Sequence, residues 1–368
     1  MGLWQLAGNL LMMGVGLVLI YLAISKGYEP LLLLPIGFGS LLANIPQGGL
    51  ASSGGLLYLL RAYGIETEIL PALLFVGIGA MCDFSGLIAH PGLLALAFAG
   101  QLGIFVTLNL ALLLGFSPLE ASSISIIGAM DGPTAIIVAK RFAPHLLGPV
   151  AVSAYSYMSM VPLLQTPLSR LITTRGERLA RMEFPAEEEA PSRLRVVFPI
   201  AVFLASSLIA PQGALLMGCL MLGNLMKESG VVKRLHETAE RELEDIVLLL
   251  LGLSIGGTME AEAFLNPTTV MVFALGLAAF TSSIVLGLLI GKILYHLTGG
   301  RFNPLLGACG ISAFPIAARV AHLLGRKEDP DNWLLPYALA INMGGQIASV
   351  AAGGAILTYA PVILSMLG

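Results

Sequence analysis

The sequence predicts an all-α polytopic membrane protein built from two inverted-topology repeats of about five spans each, on three observations. The 368-residue chain is 57% hydrophobic and only 11% charged, with a mean hydropathy of +0.88; soluble domains are about 45–50% apolar and about 25% charged. Apolar runs of about 18 or more residues, the length that crosses a bilayer as helix, recur from Leu3 to the C-terminus. Short motifs also recur in the same order in both halves, as duplicated architectures require.

The elements follow in order. The first apolar run, 3–25, lacks a basic leader and is too long for a signal segment, so it reads as a retained span. Further apolar segments fall near 29–45, 69–88, 91–116, 118–140 and 145–170. A charged stretch, "TTRGERLARMEFPAEEEAPSRLR" (173–195), then interrupts the pattern. Apolar segments resume near 196–209, 211–226, 246–265, 267–297, 301–322 and 334–366. Two amphipathic stretches, 50–63 and 227–245, separate spans; the second has the character of an interfacial helix. The expected division is a first repeat over 1–170, a charged cytoplasmic linker over 171–195 and a second repeat over 196–368.

The repeat rests on three paired stretches. "LLFVGIGAMCDFSGLIAHP" (73–91) has the layout of "LLLLGLSIGGTMEAEAFLNP" (248–267), and "GFGSLLAN" (37–44) resembles "GCLMLGN" (218–224). "GAMDGPTAIIVAKR" (128–141) pairs with "GACGISAFPIAARV" (307–320): each opens Gly-Ala, carries a proline, and has a base twelve residues on, Lys140 or Arg319. If segments 118–140 and 301–322 enter and return, each half has five crossings and the halves are inverted. With the N-terminus outside, all but Arg61, Lys140 and Arg141 of the 19 lysines and arginines then fall inside, as the positive-inside rule asks. Full crossings would move 170–195 outside and degrade that bias.

Function is sought at the breaks. In hydrocarbon an interrupted helix survives only where it lines a cavity or is buried in protein. Pro133 removes a backbone donor and disfavours helix at Gly132; Gly310 and Pro315 act likewise in the second half. Paired breaks in inverted halves mark the substrate or ion site of a transporter. Asp131 stands within the first break, and an intramembrane carboxylate costs about 2.5–3.5 kcal/mol or more, which argues for function over its structural alternative, a helix cap. Asn303, Gly307 and Gly310 share a face, as do Asn342, Gly345, Ser349 and Gly353; small residues and amides also serve plain helix packing. Ser312 lies at the second break. Tyr155 and Tyr157 suit interfacial anchoring equally well, and Arg319 either clamps a carboxylate or snorkels to the interface.

One carboxylate with neutral oxygens suits a monovalent cation, sodium or a proton, whereas calcium recruits several acids and zinc wants His or Cys. The five histidines have no ligand spacing, and Cys82, Cys219 and Cys309 are isolated. No basic cluster has the footprint of a nucleic-acid binder.

"GAMDGPTAI", "AYSYMSMVP", "NPLLGACGISAFPIAARV", "INMGGQIASV" and "LLPIGFGSLLANIP" together resemble the beta subunit of sodium-pumping, biotin-dependent decarboxylases, those acting on oxaloacetate, methylmalonyl-CoA, glutaconyl-CoA or malonate. The resemblance covers nearly the whole chain. It implies a subunit that decarboxylates carboxybiotin delivered by a partner and exports Na+ with uptake of a proton. It further implies that Asp131 is the essential aspartate, shared between sodium and a proton. Asn303, Ser312 and Asn342 match sodium-site residues, with Gly132, Pro133, Gly307 and Gly310 supporting the broken geometry. Tyr157 matches the functional tyrosine, although Tyr155 is close enough to leave that choice open, and Arg319 matches the arginine that orients the carboxylate. The implied partners are a carboxyltransferase subunit, a biotin carrier (biotin is not attached to this chain), a small single-span membrane subunit and further copies of the chain, in the cell membrane. Two rivals use related features: a sodium-coupled secondary carboxylate transporter, and an intramembrane aspartyl protease, for which the paired aspartates in adjacent spans are missing.

Overall fold

The computed structural model describes residues 3–182 and 190–367, so part of the expected linker, 183–189, lies outside the described residues. Among them there is helix but no strand, as a chain must be if its backbone polar groups are paired within each segment. Helix α1 (Leu3–Lys26) ends at Gly27, which adopts a left-handed φ of 65°, the conformation that stops helices at little cost to glycine. Helix α2 (Pro30–Ala43) opens on a proline. The first amphipathic stretch is helical over Leu56–Ile65 and meets α3 (Ile69–Met81) at a 63° bend. Helices α4 (Leu93–Ala99) and α5 (Leu102–Leu113) form one apolar span.

The first broken segment follows. Helix α6 (Pro118–Ser125) begins in a capping box made by Ser117 and Glu120, passes into a 3-10 turn (Ile126–Ala129), and gives way to α7 (Gly132–Phe142). Helices α8 (Leu147–Ser159) and α9 (Val161–Ile172) meet at a 63° bend.

The second half continues with α10 (Ser192–Ile209), α11 (Ala214–Ser229), a short helix Lys233–Thr238 with no buried residue, and α12 (Glu244–Gly257). Helix α13 (Pro267–Leu297) has 31 residues, about 46 Å at 1.5 Å per residue. The second broken segment is a 3-10 helix (Pro304–Gly310), a non-helical stretch and α14 (Ile316–Glu328). Helix α15 (Leu335–Leu367) is unbroken. Among the described residues five helices are long and apolar enough to cross a membrane, and up to seven if each bent pair is one span.

The two halves interlock. Helix α1 packs on α2 and α10 on α11, while α2 packs across onto α12 and α11 onto α3. These crossings bring backbone against backbone: a Cβ at Gly39 would lie 2.6 Å from the Leu253 carbonyl oxygen, and one at Gly223 would lie 2.1 Å from that of Val76. Two buried amides at matching positions close the helix ends of the opposite half. Asn44 donates to the Met259 carbonyl (2.8 Å) and accepts from Ala261 N–H (3.1 Å), and Asn224 donates to the Cys82 carbonyl (3.0 Å). Helices α1 and α10 stay at the periphery with apolar faces outward; Pro199 is the one buried residue recorded on α10.

Candidate functional site

The chain turns sharply at the first break. Met130 takes a left-handed φ of 60°, and Asp131 is extended and caps α7, with Pro133 in the first turn. Oδ1 of Asp131 accepts from Thr134 N–H (3.1 Å); Oδ2 accepts from the hydroxyls of Thr134 (2.8 Å) and of Ser349 on α15 (2.6 Å). All three residues are buried, Asp131 to 4% exposure. The N-terminal end of α7 faces the carboxylate with the positive end of its dipole. Asp131 is therefore a helix cap and a buried carboxylate at once.

The second break crosses the first. Ser312 N–H donates to the Ala129 carbonyl (3.1 Å), and Ser283 on α13 donates its hydroxyl to the Gly128 carbonyl (2.7 Å). The freed carbonyls of the second break are taken in turn by side-chain donors. The Asn342 amide reaches Cys309 (3.2 Å) and Ile311 (2.6 Å), Gln101 reaches Gly310 (2.9 Å), and Gln346 reaches Ser312. These carbonyls are thus satisfied by protein, which leaves side-chain oxygens near the breaks as the groups with spare capacity. Gln101 Oε1 and Asn342 Oδ1 are buried and have no hydrogen-bond partner among the described residues.

A cavity of 310 Å³ reaches this crossing. Half-buried Glu29 and Glu244 and exposed Arg319 line its outer part; Asp131, Gly132, Ser312, Gln346 and Tyr155 line its inner part. The Arg319 guanidinium makes no hydrogen bond or ion pair among the described residues.

The structure brings together Asp131, Gly132, Pro133, Ser312 and Arg319 around this cavity, and separates others from it. Asn303 is elsewhere. It caps the 3-10 helix through Leu305 N–H (3.0 Å), and its amide donates to the carbonyls of Arg178 (2.9 Å) and Ala180 (2.8 Å), so it fastens the start of the linker. Tyr157 turns away to α13, donating to the Phe273 carbonyl (2.5 Å) and stacking on Phe280. Asn342 supports the second break from behind. Gly307 permits close packing rather than coordination, since a Cβ there would lie 2.0 Å from the Gly287 carbonyl oxygen, and Gly310 is pressed in the same way against Leu96. Three polar residues at the breaks escaped the sequence reading as site candidates: Thr134, Ser349 and Gln346. Thr134 follows the aspartate by three, the position of a capping partner, and Ser349 shares a helical face with Asn342; those were the signals on offer.

A polytopic helical protein whose two interrupted segments cross at one buried carboxylate, with a cavity leading to it, has the build of ion-coupled membrane transport proteins. Residues 8–360 match the family model described as the Na+-transporting oxaloacetate decarboxylase beta subunit. The chain is 48% identical to the glutaconyl-CoA decarboxylase subunit beta of Acidaminococcus fermentans, over 95% of this chain and 92% of the relative. It is 47% identical to the methylmalonyl-CoA decarboxylase subunit beta of Veillonella parvula, over 95% and 92%. With the oxaloacetate decarboxylase beta chain of Haemophilus ducreyi identity is 38%, over 96% and 95%. The chain belongs to this family, the membrane-embedded beta subunits of biotin-dependent, sodium-transporting decarboxylases.

Proposed function

We propose that this subunit decarboxylates carboxybiotin presented on a partner at the inner membrane face, and couples that step to outward export of Na+ with uptake of a proton. The observation that carries the reading is the single cavity joining Arg319 to Asp131. Sodium, the cargo, takes the Asp131 carboxylate and the neighbouring hydroxyl oxygens of Thr134, Ser349 and Ser312, a donor set of one charge and neutral oxygens. The unpaired Arg319 guanidinium suits a carboxylate, which its planar fork can hold by two parallel hydrogen bonds. A compact polar ureido ring fits a cavity of 310 Å³ with donors at both ends.

The membrane arrangement belongs to the same proposal: inverted halves 1–170 and 196–368, N-terminus outside, and 171–195 cytoplasmic. Its support is that the charged groups lining the Asp131 cavity, Glu29, Glu244 and Arg319, all come from stretches that the positive-inside rule puts inside. Those lining a second cavity, Arg61, Glu66, Lys140 and His145, come from stretches it puts outside. The partners are a carboxyltransferase subunit, a biotin carrier, a single-span membrane subunit and further copies of this chain. Exporting one charge against 100 mV costs about 2.3 kcal/mol, so decarboxylation must be tied to the step that releases the ion.

The test is decarboxylation of free carboxybiotin by the purified complex with and without Na+, and carboxybiotin-driven ²²Na+ accumulation in proteoliposomes. Both are expected to require the other partner of the pair. Carboxylate uptake driven by a sodium gradient, with no response to carboxybiotin, would replace this reading with a secondary transporter.

A further inference from the structure

We infer that the phenol of Tyr155, two residues before the tyrosine singled out by family resemblance, is the hydroxyl that meets substrate and supplies the proton; the inference rests on the carboxybiotin reading above. Residues two apart on a helix point to nearly opposite faces, so only one of Tyr155 and Tyr157 can face Asp131. The geometry selects Tyr155. Its ring lies flat against the backbone after Asp131: a Cβ at Gly132 would fall 2.2 Å from its Cζ, which makes Gly132 the residue that admits the ring. Tyr155 lines the cavity with Asp131, Ser312, Gln346 and Arg319. It is 1% exposed, and its hydroxyl has no hydrogen-bond partner among the described residues.

A buried hydroxyl without a partner costs about 1–3 kcal/mol, and buried tyrosines usually find one. Here the neighbouring tyrosine has one and Tyr155 does not. The unpaired donor points to a ligand that arrives with an acceptor.

The chemistry balances with solvent as the proton source. The bond from the ureido nitrogen to the carboxyl carbon breaks, both electrons remain on nitrogen, and CO2 departs. The phenol proton passes to that nitrogen, and the phenolate is reprotonated from water. The Asp131 carboxylate, occupied by sodium, is then not required to hold the same proton at the same moment.

The experiment uses the assembled complex and free carboxybiotin. Y155F is expected to lower kcat about 10²–10⁴-fold, the usual contribution of a general acid, with KM changed less than threefold. A second variant guards against a folding defect: 3-fluorotyrosine at 155 keeps the ring and raises its acidity. It should change the solvent deuterium isotope effect on kcat, whereas 3-fluorotyrosine at 157 leaves that effect in place. Retention of kcat within twofold in Y155F, or an unchanged isotope effect with 3-fluorotyrosine at 155, overturns the assignment while wild-type activity keeps the parent reading intact. Failure of the wild-type complex to act on carboxybiotin at all overturns both.

Discussion

Asp131 does two jobs that one substitution separates. Asparagine caps helices about as well as aspartate, so D131N keeps the start of α7 and removes the charge. The variant is expected to assemble normally and to lose Na+-dependent decarboxylation and ²²Na+ transport together, each by at least about 10²-fold; retention of either one would show that ion and chemistry do not share this carboxylate. Ser349→Ala is milder. It removes a hydroxyl that donates to the carboxylate and that is one of the proposed sodium ligands, and should raise half-saturating Na+ about tenfold, about 1.4 kcal/mol, read from sodium titration of the decarboxylation rate. Asp131 was legible in the sequence because a lone acid among apolar residues has few cheap explanations. Ser349 was not, because a buried serine in a small-residue stripe reads the same whether it packs helices or binds an ion. Asn303 was grouped with the ion ligands by family resemblance, while its amide fastens the start of the linker; an amide that does so leaves no different mark in the chain.

Elements are where the broken segments acquire their shape, and here backbone proximity decides. Gly307→Ala puts a methyl 2.0 Å from a carbonyl oxygen of α13, and neither backbone can yield without moving the second break. Overpacking of this kind costs about 1–3 kcal/mol, so G307A should lower the thermal midpoint. G14A serves as its control, since a Cβ at Gly14 meets nothing within 4 Å; equal effects from the two would mean that close approach is not what Gly307 provides. Past α9 the chain is fastened by Arg178 to Glu328 (2.9 Å) and by Arg181 to Asp329 (2.6 Å), besides Asn303. Hydrogen bonds from Arg181 hold the Asp329 carboxyl below its ordinary value. A carboxyl lowered in the folded state contributes stability above its unfolded value, about 3.9, and loses it as pH falls through the lowered one. Hydrogen exchange over 173–182, corrected for intrinsic rate, should therefore rise below about pH 4, and N303A should raise it at neutral pH. The breaks themselves were readable from Gly and Pro in apolar context. What escaped was that their carbonyls are covered by Gln101, Asn342 and Gln346, since a glutamine on one helix carries no sign of which distant carbonyl it will reach.

At the scale of the whole molecule, two of the cavities lie at opposite ends of α7. The one at its start contains Asp131, Gly132 and Pro133; the one at its end, 620 Å³ in volume, contains Lys140, with Arg61 and His145 nearby. The nine residue steps from Asp131 to Lys140 span about 14 Å of helix, so a short rod of one element separates the two cavities. Its far end is tied down: Lys140 Nζ lies 2.6 Å from Glu68 beside the bend that precedes α3. In the proposed cycle, in which each cavity opens in turn, that tie must break or shift when the protein faces outward, because α7 cannot swing with both ends fixed. The pair is about a quarter exposed, and pairs in that setting are worth up to about 1 kcal/mol, enough for about a fivefold shift between two nearly balanced states. K140Q and E68Q should each move the balance outward to that extent. The readout is the labelling rate, with a membrane-impermeant thiol reagent, of a cysteine introduced at Thr258, which lines the outer cavity. Sodium moved per CO2 released should fall in the same variants, since an outward path left ajar lets the ion return between turnovers. Unchanged labelling with an unchanged sodium-to-CO2 ratio would mean that the tie is only a surface ion pair and that the barrier lies closer to Asp131.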